Sequence, residues 1–412
     1  MSISSLVRRL ARFVPLVAGS LALAATGLAA AGPKAYVGNF KDSTVSVIDT
    51  ATGTVVATVA VAAGPHGMGI GADGKYVYVT GEASSSMSVI DTASDSVAQT
   101  VEVGPMPHGV AMLPDGKTIL VGVYGADRVA FVDTASRTVV ASVAVPKPHT
   151  IAVRPDGKFA YVASQQPGQF ALVVVDLATR AVVRSIALDK PPRDPEFSHD
   201  GKYLYVTTAG VNALRVIDAA SDKVVAEIPT GPSPHIGKWF AGAAVGTIVV
   251  QGPGELLTFD PASQSALRAF PVGKQPHWMA SDGKTVWVTN EGSNDVSAVD
   301  LASGKTTTIA VGNAPRKIVV QPAAAKVAAS AASVSIANFA FAPSPLTVAS
   351  GSTVTWSNDD GAPHALAFND GTAASDLLLP GQRFARTYAK AGSFDCVCSV
   401  HPYMRGTVTV QP

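Results

Sequence analysis

Two cysteines in 412 residues exclude a disulfide framework as the source of stability, since they could form one bridge at most. Charge is also scarce. Asp, Glu, Lys and Arg make up 15% of the chain and the formal net charge is +1, so there is no electrostatic case for nucleic acid. No Gly-x-Ser-x-Gly elbow occurs and no phosphate loop is complete through its Lys-Ser/Thr ending, so a serine hydrolase and a P-loop NTPase lack their marks. Long apolar runs are missing beyond the first 31 residues. What the chain does have is 47% apolar content, ample for large cores, and a length that fits two or three domains.

Arg8, Arg9 and Arg12 precede a short apolar run from Phe13 to Ala25, and Ala29-Ala-Ala31 ends in small residues. This predicts a cleaved secretory signal over 1–31, too short and Ala-rich for a membrane span. The mature chain is then expected to be periplasmic or secreted, with no span.

From Tyr36 to Pro322 one pattern recurs. An aspartate ends an apolar strand at Asp49, Asp91, Asp133, Asp176, Asp218, Asp260 and Asp300, at intervals of 42, 42, 43, 42, 42 and 40 residues. Each repeat holds about four short β-branched runs, with Asp-Gly turns at Asp73-Gly74, Asp115-Gly116, Asp156-Gly157, Asp200-Gly201 and Asp282-Gly283. Repeats of this length made of four strands predict a seven-bladed β-propeller over 35–322. The first repeat lacks an innermost strand and the last has an extra one, Arg316–Gln321. These two are expected to share a blade and close the ring. The repeated aspartates read as turn caps. Tyr76-Val-Tyr-Val-Thr80, Tyr203-Leu-Tyr-Val-Thr207 and Val286-Trp-Val-Thr-Asn290 resemble the YVTN-type propeller repeats of secreted proteins, which speaks to fold and hardly to function.

A low-complexity Ala/Ser stretch over 323–333 reads as a linker. Beyond it, Cys398, His401 and Met404 lie on one tight loop at spacings of three, and His364 stands 34 residues before the cysteine in a polar turn after Val354-Thr-Trp356. One thiolate, two imidazoles and one thioether form the donor set of a blue-copper centre, with Met as weak axial ligand. Gly406–Val410 alternates as a closing strand.

Residues 334–412 resemble a small cupredoxin of the amicyanin and plastocyanin kind. The likeness rests on Ile336-Ala-Asn-Phe339-Ala-Phe341-Ala-Pro343, Gly351-Ser-Thr-Val-Thr-Trp356, Pro363-His364 and the Cys398–Met404 loop. It implies a Greek-key β-sandwich, His364, Cys398, His401 and Met404 as ligands of a type 1 copper, and His401 as the electron port to a redox partner protein. Two positions depart from the family. Ala365 replaces the usual Asn or Thr that braces the cysteine loop, and Cys396 stands where Tyr is common. The fold class expected for the whole chain is all-β, a seven-bladed propeller followed by a cupredoxin.

A second constellation runs through the repeats. A Pro-X dipeptide precedes each innermost strand, and X is His66, His108, His149, Arg193, His235, His277 and Arg316. Five of the eight histidines thus share one register, predicted to encircle a channel mouth. Packing, a pocket for a small anionic or polar substrate, and a further copper site all stay open for this ring. A propeller with a His-ligated copper cluster followed by a cupredoxin resembles nitrous oxide reductase. That family's seven cluster histidines, and its two cysteines four residues apart, are not matched by two arginines and a Cys396–Cys398 spacing of two, so its reaction is rejected. The propeller is then either a docking platform for electron transfer, reminiscent of the propeller subunit of amine dehydrogenases, or itself a redox enzyme served by the cupredoxin. A surface-binding propeller with a redox tail is the third possibility. Whether the chain is an enzyme stays open on sequence alone.

Overall fold

The computed structural model describes residues 33–322, 331–372 and 374–411. The predicted signal segment and most of the predicted linker lie outside the described residues. Among the described residues no helix is long and apolar enough to cross a membrane.

Residues 34–320 form seven four-stranded antiparallel sheets. The reason is visible in the burial of each strand. In one blade the middle strands Tyr76–Gly81 and Ser86–Asp91 are buried on both faces, whereas the outer strand Ser96–Glu102 alternates. Continuous β-branched runs therefore become middle strands and alternating runs become edges. Each innermost strand begins at a buried proline, which has no N–H to leave unpaired.

The last inner strand, Pro315–Val320, pairs antiparallel with the first strand of the chain, Lys34–Asn39, through Ala35↔Val320, Tyr36↔Val319 and Val37↔Ile318. Phe40 N–H also donates to Ala314 O at 3.0 Å, and Gln321 N–H to Lys34 O at 2.7 Å. The same strand packs against the inner strands Pro276–Ser281 and Pro65–Ile70 on its two sides, so the ring is closed. Closure leaves no blade with an open flank.

The seven strand-ending aspartates are turn caps. Asp49 accepts from the N–H groups of Ala51 and Thr52, both at 2.9 Å, and the others repeat the motif. Those hydrogen bonds hold the carboxyls of Asp133, Asp176 and Asp300 below the ordinary range, backbone N–H donors being the largest cause.

The C-terminal region is a sandwich of two sheets. One orders Ala340–Ala342, Ala331–Ala337, Thr353–Asn358 and Arg383–Thr387. The other orders Leu346–Ala349, Arg405–Gln411, Gly392–Cys398 and Leu366–Phe368. Two of the pairings are parallel. Val354, Trp356 and Asn358 point inward, as do Gly406, Val408 and Val410, and Trp356 meets Phe368 edge-on at 5.6 Å between centroids. The first strand starts at Ala331, pairing with Thr353, so the expected linker over 323–333 runs three residues too far. Ala-Ala-Ser carries no alternation to read, and its strand state comes from the partner strand.

If the ring depends on its closing strand, Ile318→Ala should destabilise the chain by about 3 kcal/mol, the usual cost of a buried aliphatic truncation. Val225→Ala, on an exposed outer strand, should shift it by less than about 0.5 kcal/mol. Denaturant melts of the two variants measure the contrast, and equal shifts would disprove the role of the closing strand.

Candidate metal centre

Two turns at one end of the sandwich carry the donors. Asn358, fully buried, donates from Nδ2 to Ala362 O at 2.9 Å and Leu378 O at 2.8 Å, which fixes the polar turn that delivers His364. His364 then exchanges two backbone hydrogen bonds with Leu378, at 3.0 and 2.7 Å. Across from it Cys398 ends its strand in register with Leu366. Cys398 N–H donates to Met404 O at 3.1 Å and Met404 N–H to His401 O at 2.9 Å, so the loop folds back over its own cysteine. Ala365 has no side chain to brace this loop, but its carbonyl accepts from Ser399 N–H at 2.8 Å. That bond ties the loop to the turn that carries His364.

The result is a close triangle. Cys398 Sγ lies 3.6 Å from His364 Nδ1 and 3.7 Å from His401 Nδ1, and the two nitrogens are 3.3 Å apart. His364, Cys398 and Met404 are buried and His401 is partly exposed. A triangle with these edges has its centre about 2.0 Å from every corner, the length of a bond from imidazole to a divalent first-row metal. A soft thiolate and two neutral imidazoles are all electron-pair donors, so the residues present fit a copper ion.

Asp360, which the sequence reading missed, orients the set. Its carboxylate lies 3.1 Å from His364 Nε2 and accepts from the N–H groups of Asn338 and Phe339 at 2.7 and 2.9 Å. The Phe339 amide first, then the Asn338 amide and the His364 imidazole, hold its carboxyl below the ordinary range. With Nε2 bound to a carboxylate, His364 presents the lone pair of Nδ1 to the triangle. Four positions after Asp360 in a polar turn, His364 could have betrayed this partner. Cys396 is buried in the apolar core one pleat behind Cys398, and burial pushes its thiol up to about 11, so it stays protonated and outside the centre.

In the propeller the structure brings the predicted ring together unevenly. Imidazole centroids are 3.8 Å apart for His66–His108, 3.9 Å for His108–His149 and 4.0 Å for His235–His277. Arg193 and Arg316 interrupt the circle. Arg193 donates to Ser233 and Gln251, both at 3.2 Å, and Arg316 to Glu291 at 3.0 Å and Glu82 at 3.4 Å. Desolvation, then neighbouring imidazoles or cations, holds His66, His108 and His277 well below their ordinary value, and brings His149 to about 4 and His235 to about 3. All five are neutral at pH 7. Met68, beside His66, is buried and lines a central cavity of about 250 Å³ with Lys317 and Asp194. His199 is exposed and packs edge-on against Trp239 at 4.2 Å.

The description "YNCE-like beta-propeller" matches residues 8–115 and 115–245, and "Copper binding proteins, plastocyanin/azurin family" matches 328–411. Amicyanin of Paracoccus versutus is 37% identical over 94 residues, covering 22% of this chain and 71% of that protein. Plastocyanin of Scenedesmus fuscus is 33% identical over 84 residues, covering 17% of this chain and 86% of that protein. Among solved structures, hydrazine synthase of Kuenenia stuttgartiensis superposes with a TM-score of 0.60 at 23% identity, covering 65% of this chain and 92% of that one, a likeness of fold alone.

The buried neutral ring makes stability fall with acid. His149 and His235 titrate near 4 and 3 in the fold but near 6.5 unfolded, so the unfolded chain binds more protons between those values. Their contribution is intact above about pH 6.5, is lost progressively below it and is gone by about pH 4 for His149 and 3 for His235, roughly 3 kcal/mol or more for each. Thermal melts of metal-stripped protein from pH 7 to 4 should show a falling midpoint, and His149→Gln should flatten the fall. An unchanged slope in that variant contradicts the assignment.

Proposed function

We infer that this chain, which belongs to the YNCE-like β-propeller family and ends in a copper-binding domain of the plastocyanin/azurin family, carries single electrons through a type 1 copper site. The observation that supports this is the triangle of Cys398 Sγ, His364 Nδ1 and His401 Nδ1. These three would hold the ion, and the Met404 thioether would be a weak further donor that tunes its potential. Bound there, copper supplies one reversible electron.

The protein's part is rigidity and access. Hydrogen bonds from the backbone of 398–404 and the Asp360–His364 contact fix the donors before the ion arrives, so little rearrangement accompanies a change of charge. His401 alone of the three reaches the surface. Phe339 lies edge-on to it at 5.0 Å between centroids, and the exposed side chains of Phe339, Val400 and Tyr403 make an apolar rim. Such a rim fits a redox partner protein that docks transiently and takes or gives the electron through His401. The propeller serves as the docking or recognition platform, and the N-terminal pattern supports a periplasmic or secreted location.

A second reading makes the propeller a copper-dependent oxidoreductase served by the sandwich. The close imidazoles of the channel favour it. Its variant with an anionic substrate loses support, because Arg193 and Arg316 are both already engaged.

Copper-loaded, oxidised protein should show an intense visible thiolate-to-copper band. Cys398→Ser should abolish it. Met404→Leu should keep the band and raise the reduction potential, since removing a donor destabilises the higher oxidation state more. A colourless copper-loaded wild type would sink the proposal.

A further inference from the structure

The channel mouth contains an arrangement that hydrogen bonding within the protein does not satisfy. His108 Nδ1 lies 3.1 Å from His149 O, and His149 Nδ1 lies 3.1 Å from Arg193 O. A carbonyl only accepts, so both Nδ1 atoms carry the proton and both Nε2 atoms carry a lone pair. Yet His108 Nε2 faces Glu82 Oε2 at 4.0 Å, acceptor against acceptor, and His66 Nε2 faces the same oxygen at 4.0 Å. The donor atoms of His66, Glu82 and His108 all lie within 4.8 Å of one another. Charge is unbalanced in the same direction. Glu82 and Glu291 share the single guanidinium of Arg316, which holds Glu291 at 3.0 Å and Glu82 more loosely at 3.4 Å.

The inner strands pack tightly beside these imidazoles. A Cβ on Gly67 would stand 1.9 Å from His108 O, and one on Gly109 would stand 2.4 Å from His149 O. Glycine follows the ring residue only at these two positions, where a side chain would collide with the neighbouring inner strand. Glu82 itself belongs to a second register, in the position after the second strand of each blade. Phe40, Tyr124, Gln165, Ala209, Gln251 and Glu291 occupy it elsewhere, each with its N–H bonded to the loop before the inner strand. Of these only Glu82 faces two imidazoles.

We propose that His66, His108 and Glu82 bind one divalent first-row transition metal ion at the mouth of the propeller channel, and that copper(II) is the ion this donor set prefers. A triangle of such edges has its centre between about 2.2 and 2.5 Å from its corners, so a few tenths of an ångström of movement by the three side chains reaches the normal 2.0–2.2 Å. Neutral imidazole with carboxylate binds copper(II) most tightly in the divalent series. The site is open on one side. A cavity of about 260 Å³ lined by Glu82, His108, His149, Tyr124, Met106 and Gln165 adjoins it, with room for water or a small coordinating molecule. The inference is independent of electron transfer in the sandwich.

Full-length protein, stripped with chelator, is reloaded with copper(II), desalted, and its copper per chain and visible band are measured together. Wild type should retain two coppers per chain, the second without an intense visible band but with its own paramagnetic resonance signal. His66→Ala with His108→Ala should lower the count to one with the visible band unchanged. Glu82→Gln keeps the side-chain shape, and should weaken the second copper at least about tenfold with an unchanged thermal melt. One copper in the wild type, or a second copper that survives both variants, overturns the proposal. A missing visible band with the second copper intact would overturn the electron-carrier reading instead and leave this one standing.

Discussion

Three electron-pair donors held within 3.7 Å of one another inside an apolar sandwich repel unless a cation or a proton stands between them. The C-terminal domain accepts that cost by fixing each donor through its own backbone. His364 is locked by the Leu378 bridge and the Asn358 clamp, and Cys398 by register with Leu366 and by the loop that closes through Met404. The core of Trp356, Tyr388 and Phe368 beneath them leaves those turns little freedom. An ion then enters a cage whose shape is already set. In such a cage a change of oxidation state moves few atoms, and that is the physical basis of fast one-electron exchange.

The propeller solves a different problem with the same economy of charge. Its stability comes from repeated apolar strands and from a closing ladder between Lys34–Asn39 and Pro315–Val320. Repetition places one residue from every blade on a common circle, so a preference for histidine after proline turns into a ring of imidazoles. The burial that follows keeps them neutral. Small departures from symmetry then matter. Gly67 and Gly109 leave no room for a side chain against the next inner strand, Arg316 ties two carboxylates, and Glu82 turns inward beside two rings. A repeat architecture thus carries an asymmetric site.

Much of this was legible in the chain itself. Seven copies at a 42-residue period announced seven blades, and the spacing of Cys398, His401 and Met404 announced one tight loop, because both are patterns local in sequence. The start of the sandwich at Ala331 was not legible, since Ala-Ala-Ser becomes a strand only through its parallel partner. Asp360 and Glu82 were missed for a related reason. A carboxylate near an imidazole is a contact made by turn geometry, and Glu82 repeats in register with Phe40 and Tyr124, which conceals its chemistry among unlike side chains. Ala365 looked like a lost brace, but a carbonyl supplies one whatever the side chain.

The central claim is that Cys398 is bonded to copper together with two imidazoles. X-ray absorption at the copper edge, on protein loaded with one equivalent, tests it most directly. The account predicts one sulfur neighbour no farther than about 2.3 Å and two nitrogen neighbours near 2.0 Å. A first shell made only of nitrogen and oxygen would contradict it.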